Sequence, residues 1–590
     1  MMYWLRLPLL TVICFMLQCQ LKQTCSSVPL QNESPESTHF IDKEIRKMKR
    51  KYHLPAVAIT IVDGEDIIYQ KARGIIDIEN DIKASTKSVF KLWSVSKVFT
   101  AVEIFREMEE GVIDLDGSIL EYLPEFSIQS RFSNKEPITV KSLLAHRSGL
   151  PRNECVIIPE GEQKPGTLDK FEKATSGCFM AYPVGFRYKY SNLGYDLLGR
   201  IIEQNRDMGY SHFMKTDLLN DLGMSNSTFN SGDIDDSKVL VKGYEYYKRN
   251  YYPMIQSDIN SVPSGNLHST IEDLSIFLKA ALNNELFKSK NTMDQMFIDH
   301  YSSSEDPETM GLGWKMTKIR SDELLVWHDG GPTEGIGSII AMLPNQKLGI
   351  AVIANSTSFS GDRSTQFIID IFNHLLEAKS DIKHESSLNP ERISANPQLL
   401  KAYAGKYIAF GMPMDIETKG HKLRGKIGGI GLDLIPVSDT EFAVTNWMEK
   451  IGLTKIVKPP VPFDKIKMEF HHTGTKDSDF LIINLDNISH EICPRYPDQV
   501  NLTNHWDGLL GEYQLAWRLP GNRAGEITES IFEISLDNHL LTMSGIFGPI
   551  IPLDNKYFRI ASGPFAGETM EYFPESGNII HQNAVFVPNH

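Results

Sequence analysis

Ser94-Val95-Ser96-Lys97 opens the stretch on which the reading of this chain turns. From Ser94 to Glu110 the pattern is helical, and Gly111 follows in the position of a helix C-cap, so a helix is predicted over that span. A serine that opens a helix sits where unpaired backbone N–H groups and the helix dipole favour negative charge. Lys97, three residues on, shares its helical face. A lysine buried there loses its proton more easily and can take one from the serine hydroxyl. Ser94 is therefore a candidate nucleophile activated by an amine rather than by an imidazole. The same spacing recurs at Ser88–Lys91 and Ser380–Lys383, and the ordinary meaning of one such match is a polar cap with a solvated lysine. Among these three matches, only Ser94 begins a sustained helix.

Two further groups carry chemistry. Tyr190-Ser191-Asn192 lies within Phe186-Arg187-Tyr188-Lys189-Tyr190-Ser191-Asn192-Leu193-Gly194-Tyr195. A tyrosinate beside an ammonium is a base for a serine hydroxyl and afterwards a proton donor to a leaving group. Asn192 can hold a substrate amide and fix the lysine by hydrogen bonds. Tyr188, in the same run, lacks the asparagine two positions on. His328-Asp329-Gly330-Gly331 follows the strand-like Leu324–Trp327. Its glycines let a substrate backbone or acyl oxygen lie against a strand edge. The N–H groups of Gly331 and Ser94 are candidates for an oxyanion hole, and His328 for a hydrogen bond to substrate or a partner of Tyr190. Taken singly, each of these stretches reads equally as a turn.

In this order, S-x-x-K, Y-x-N and H-x-G, the sequence resembles the serine β-lactamase and penicillin-binding-protein superfamily, in the class C-like branch with D-aminopeptidases, esterases and LACTB-type proteins. Leu143-Leu144-Ala145-His146-Arg147-Ser148-Gly149-Leu150 is similar to the family's L-L-x-H-x-S-G-L, and Tyr182-Pro183-Val184-Gly185 to its approach to the tyrosine motif. Leu222-Gly223-Met224 and Gly311-Leu312-Gly313-Trp314 resemble further signatures, and the likeness spans roughly Phe40 to Leu376. It implies Ser94 as acylated nucleophile, Lys97 and Tyr190 as the proton-transfer pair, and Asn192 as a contact to substrate and lysine. His328 stands where true β-lactamases carry the lysine of K-T-G. A histidine is neutral much of the time near pH 7 and anchors a carboxylate less strongly. The expectation is thus a serine hydrolase that forms an acyl-enzyme on amide or ester substrates, peptidase- or esterase-like. The alternative is a β-lactamase or a slowly deacylating penicillin-binding sensor.

Strand signals frame the helical stretch. Val57–Val62 and Ile67–Tyr69 flank Asp63-Gly64-Glu65 as a hairpin, and Ser338–Leu343 and Leu348–Ala354 flank Pro344-Asn345-Gln346-Lys347. Phe40–Lys51 and Phe367–Leu376 read as helices. The fold class expected is α/β: a β-lactamase/transpeptidase-like domain over residues 36–380, with an antiparallel sheet flanked by helices, a helical subdomain, and N- and C-terminal strands side by side. Asn32–Thr38 reads as a polar tether and 378–397 as a linker.

Beyond the linker the sequence repeats. Ala404-Gly405-Lys406-Tyr407 is echoed by Leu510-Gly511-Glu512-Tyr513, and His421-Lys422-Leu423 by His539-Leu540-Leu541. Ile435-Pro436 is echoed by Ile551-Pro552, and Met468-Glu469-Phe470 by Met570-Glu571-Tyr572. The order is kept at offsets of roughly one hundred residues, which predicts two duplicated small antiparallel β-barrels, 395–498 and 505–590. D-aminopeptidase-like members of the family carry two lipocalin-like barrels after the catalytic domain, and that weaker resemblance implies a part in substrate selection or ligand binding.

The net charge of −15 over 590 residues speaks against a nucleic-acid partner, which requires a basic face. Arg6 followed by the apolar Leu7–Leu17 reads as a secretory signal, residues 1–26, so the protein is expected to be exported: periplasmic, extracellular or membrane-anchored. Membrane attachment is expected only through an uncleaved leader or a lipid on Cys19, whose preceding Met16-Leu17-Gln18 matches a lipobox poorly. Cys155 and Cys178 are candidates for a disulfide. There is no H-E-x-x-H and no paired C-x-x-C spacing, so no metal or cofactor is expected, and the partner is a small-molecule or peptide substrate.

Overall fold

The computed structural model describes residues 35–588 except 134–135, 154–174, 235–238, 257–260, 302–308, 320–322, 380–395, 410–411, 421, 428, 446–465, 472–479, 486–488, 498–505, 507, 516–530, 538–539, 545–547, 555, 563 and 582–583. The leader, Cys155 and most of the linker lie outside the described residues.

Helix α1 (Pro35–Lys51) begins inside the stretch expected to be a tether. Proline is pre-organised for a first helical position, and Glu36 at the start and Lys49, Arg50 and Lys51 at the end suit the helix dipole. The chain then makes the expected hairpin of β1 (Ala56–Asp63) and β2 (Asp66–Asp77), with a short β3 (Ile82–Lys83) beside it. Four more strands come more than two hundred residues later: β4 (Lys315–Ile319), β5 (Glu323–Gly330), β6 (Gly337–Leu343) and β7 (Leu348–Ala354). They form one seven-stranded sheet in the order β3-β2-β1-β7-β6-β5-β4, with antiparallel ladders. The first and last strands are neighbours, as expected, with Ile59 opposite Val352.

Every residue of β1, β6 and β7 is buried, which only a sheet covered on both faces permits. On one face α1 and the C-terminal helix α5 (Asp362–Lys379) pack Ile45, Met48, Ile368 and Phe372 against Val57, Ile59, Ile339 and Val352. The other face meets the helical insertion between β3 and β4. It holds α2 (Ser96–Glu109), α3 (Asn192–Arg206) and α4 (Ile271–Leu282). Phe99, Leu198, Leu274 and Leu278 share a core there with Ala58, Ile340 and Ala351. At the end of α5 the Lys379 Nζ lies 2.7 Å from an Asp63 carboxylate oxygen, a buried ion pair that ties this helix to the first strand.

The C-terminal part folds as two closed eight-stranded antiparallel barrels with strands in sequence order. The first closes between Gly405–Ala409 and Ser489–Tyr496, the second between Gly511–Leu515 and Ala584–Pro588. The sequence echoes fall on equivalent strands: Tyr407 and Tyr513 on the first, Leu423 and Leu541 on the third, Ile435 and Ile551 on the fourth, and Phe470 and Tyr572 on the sixth. Tyr407 and Tyr513 each donate a hydroxyl hydrogen bond to the carbonyl four residues back, of Tyr403 and Leu509. Tyr403, Phe442 and Phe470 share the core of the first barrel, and Trp506, Phe558 and Tyr572 that of the second.

Candidate active site

The site lies at the junction of α2, the start of α3 and the end of β5. Ser94 does not open the α-helix, as the sequence pattern predicts. It sits in a 3₁₀ turn, Trp93–Val95, and the α-helix starts at Ser96. The turn is shaped from both sides. Trp93 has a φ of 52°, a conformation rare for a bulky residue, and the Ser96 hydroxyl donates to the Trp93 carbonyl at 2.5 Å. From the sheet side the Ser338 hydroxyl donates to the Leu92 carbonyl at 2.7 Å. Ser94 thereby stays partly exposed while its neighbours on either side are buried.

Lys97 is buried one helical turn on. Its Nζ lies 3.3 Å from Ser94 Oγ, 2.9 Å from Asn192 Oδ1 and 2.7 Å from the Ser264 carbonyl. Burial pushes its pKa below the ordinary lysine value, opposed by its charge interaction and hydrogen bond with Tyr190. The Nζ is 4.9 Å from the centre of the Tyr190 ring. Asn192 is the first residue of α3, whose N-cap Ser191 accepts a hydrogen bond from Gly194 N–H. Its amide orientation is set from both ends, because Nδ2 donates to Asn153 Oδ1 at 2.8 Å while Oδ1 accepts from Lys97. Ser94, Lys97, Tyr190 and Asn192 thus come together as the motifs predict.

His328 lies within β5 rather than after it, with its ring 6.4 Å from that of Tyr190. Its Nδ1 is 2.8 Å from the Asp329 carbonyl. A carbonyl only accepts, so Nδ1 carries the proton and Nε2 presents a lone pair. Among the described residues that Nε2 has no hydrogen-bond partner. Burial, with the charge of Lys315, lowers the His328 pKa to about 3, so the ring is neutral. Lys315 itself is paired with Asp329 at 2.9 Å.

Gly330 also serves the protein's own packing. A Cβ there would lie 2.0 Å from the Leu92 carbonyl oxygen, so its missing side chain admits the protein's own backbone just before Ser94. Gly331 has a φ of 94°, and a Cβ on it would meet the Ile336 carbonyl oxygen at 2.2 Å.

Several site residues were not singled out by their chemistry. His146, within Leu143–Leu150, is buried with its ring 4.4 Å from that of Tyr190, and its Nδ1 accepts the Ser191 N–H at 3.1 Å. Burial and the charge of Lys97 hold it neutral, well below the usual histidine value. Arg152 lays its guanidinium carbon 4.9 Å from the Tyr190 ring centre, and its carbonyl accepts the Asn192 N–H at 2.7 Å. The barrels also reach this wall. Arg187 stacks on Phe480 of the first barrel at 4.4 Å. Glu568 of the second barrel accepts the Arg152 N–H at 2.8 Å and pairs with Lys189, the residue before Tyr190, at 2.8 Å. No isolated motif points to Arg152 or Glu568.

A helix-flanked antiparallel sheet with a serine and a buried lysine at its helical junction defines a serine hydrolase of the β-lactamase fold. The beta-lactamase family model matches residues 41–371, and the chain belongs to that family. It is 27% identical over 377 residues to Protein flp of Staphylococcus aureus, covering 63% of this chain and 71% of that one. It is 29% identical over 357 residues to Beta-lactamase-like protein 4 of Dictyostelium discoideum, covering 56% and 62%. The octameric penicillin-binding protein homologue from Pyrococcus abyssi is similar in fold at a TM-score of 0.50 and 21% identity, over 77% of this chain and 99% of that one.

Proposed function

We propose that the protein hydrolyses amide or ester substrates through an acyl-enzyme on Ser94. The observation that carries this reading is the buried Lys97 amine 3.3 Å from Ser94 Oγ, with Asn192 and Ser264 fixing it. Burial raises the share of neutral amine, the form that accepts a proton. Ser94 Oγ bonds to the substrate carbonyl carbon as its proton passes to the Lys97/Tyr190 pair. The N–H groups of Ser94 and Gly331 receive the oxyanion. The bond to the leaving group breaks as Tyr190 protonates it, and water then releases the acyl group from Ser94.

The neutral His328 supports a peptidase- or esterase-like substrate over a β-lactam, because it offers a substrate carboxylate a lone pair where a lysine offers a charge. The two glycines are proposed to bound the substrate site, Gly331 by its N–H and Gly330 by keeping the Leu92 turn close. Export is also proposed. Cys178 is disulfide-bonded, which suits an oxidising compartment, while its expected partner Cys155 lies outside the described residues.

The test is turnover by wild type and Ser94→Ala of nitrocefin, a p-nitrophenyl short-chain ester, and D- and L-alanyl p-nitroanilides. Ser94-dependent turnover of the ester or an anilide is expected. Preferred nitrocefin turnover would favour a β-lactamase. A lasting adduct on Ser94 without turnover would favour a slowly deacylating sensor.

A further inference from the structure

The Glu568 carboxylate is 2% exposed and Lys189 is 5% exposed, although they belong to different domains. Oε1 accepts from Lys189 Nζ and from the Arg152 N–H, each at 2.8 Å, and Oε2 lies 3.0 Å from His581 Nε2. Lys189 Nζ also donates to the Pro564 carbonyl at 3.1 Å. The adjoining Gly567 has a φ of 85°, and a Cβ there would meet the Tyr182 ring at 2.5 Å, so the barrel turn is seated closely on the catalytic domain.

The two groups held by Glu568 lead directly into the site. Lys189 precedes Tyr190, and its own N–H donates to the His146 carbonyl at 2.8 Å. The segment Arg152-Asn153 covers the Tyr190 ring with its guanidinium, caps Asn192 N–H with a carbonyl and orients the Asn192 amide through Asn153. One carboxylate therefore ties together the segment carrying Tyr190 and the segment orienting Asn192. A buried ion pair gains little over well-packed apolar groups as a means of holding two domains together. Its directional bonds do fix geometry, and acyl transfer is sensitive to displacements of about 1 Å.

We infer that Glu568 is a positioning residue for the reaction at Ser94, so that the second barrel completes the active site by docking. This rests on the hydrolase reading above. Glu568 acts through Arg152 and Lys189 on Tyr190 and Asn192, and takes no part in bond making.

The test uses the full-length protein, Glu568→Ala, Glu568→Gln and the double variant Lys189→Met/Glu568→Leu. The last replaces the ion pair by apolar packing and leaves the Arg152 N–H without its acceptor. Three experiments are run: the rate of Ser94 labelling by a fluorophosphonate, steady-state kcat and KM for p-nitrophenyl acetate, and hydrogen exchange in residues 151–153 and 188–193. Glu568→Ala is expected to slow labelling and kcat by about tenfold or more, with little change in KM, and to raise exchange in both segments. Glu568→Gln keeps an oxygen for the Arg152 N–H and should recover part of the rate. The double variant should remain docked by solution scattering yet label slowly. A docked double variant that labels at the wild-type rate would overturn the inference, as would unchanged exchange in Glu568→Ala. Absence of Ser94 labelling in the wild type is a separate failure, that of the hydrolase reading, and the exchange measurement still decides whether Glu568 holds the two segments.

Discussion

Lys97 has three fixed acceptors and no exposed surface, so its protonation state is set by the fold rather than by solvent. Its pKa is lowered by burial, so the neutral amine that can accept the Ser94 proton grows as pH rises through a value below that of free lysine. Ser94 acylation should therefore rise with pH on a limb that Lys97→Met removes, with the labelling rate against pH as the measurement. Lys97→Arg keeps the charge but cannot give up its proton, and a loss of about a hundredfold or more is expected. His328 should contribute no limb between pH 5 and 8. Its proton is lost at about 3, so across that range the ring is already neutral. A limb near 6.5 that disappears in His328→Asn would contradict this assignment. Gly330→Ala tests the turn from the sheet side. The added methyl meets the Leu92 carbonyl at 2.0 Å, and overpacking of this kind costs about 1–3 kcal/mol. Both a lower Tm and slower Ser94 labelling are expected, because the displaced carbonyl is two residues from the nucleophile.

The elements that meet at Glu568 carry a pH signature of their own. Burial alone would raise the Glu568 pKa, but Lys189 and His581 outweigh it and hold it at about 2, against an ordinary value of 4.5. A carboxyl whose folded pKa is depressed stabilises the fold above its unfolded value, and loses that contribution as pH falls toward the folded one. The Tm advantage of wild type over Glu568→Gln should be largest near pH 6 and shrink between about 4.5 and 2, measured by thermal melts across that range. A gap that stays constant down to pH 2 would mean that the carboxylate contributes no charge-dependent stability. The barrel elements themselves were legible in the chain because each echo marks an equivalent strand. Tyr407 and Tyr513 even repeat the same hydrogen bond four residues back, a local constraint that duplicates with the sequence. The start of α2 was misread by two residues for an opposite reason. The 3₁₀ turn at Trp93–Val95 depends on the Ser338 hydroxyl holding the Leu92 carbonyl, a contact 246 residues away in the chain.

Across the whole molecule, the site residues legible in the chain are those whose chemistry is written in short motifs. Ser94 and Lys97 share one helical face, Tyr190 and Asn192 are two residues apart, and His328 adjoins its glycines. Arg152 and Glu568 stayed silent because their bond joins positions 416 residues apart and leaves no periodicity or spacing to read. Their contact is the basis for the positioning role proposed for the second barrel. Among the described residues, aromatic side chains sit in the core of each barrel, and residues of both barrels reach the catalytic domain. The two barrels do not touch the site equally. The first reaches Arg187 through Phe480, whereas the second bonds Lys189, next to Tyr190, and Arg152, whose carbonyl accepts the Asn192 N–H. Truncation after residue 504 should therefore lower Ser94 labelling about as much as Glu568→Ala does, and truncation after residue 394 should add little to that loss. Both truncations, made alongside full-length protein and checked for folding by circular dichroism, separate the two ideas. Full activity in a folded protein lacking residues 505–590 would make the second barrel a spacer. Loss appearing only when residues 395–504 are also removed would move the positioning role to Phe480 and the first barrel.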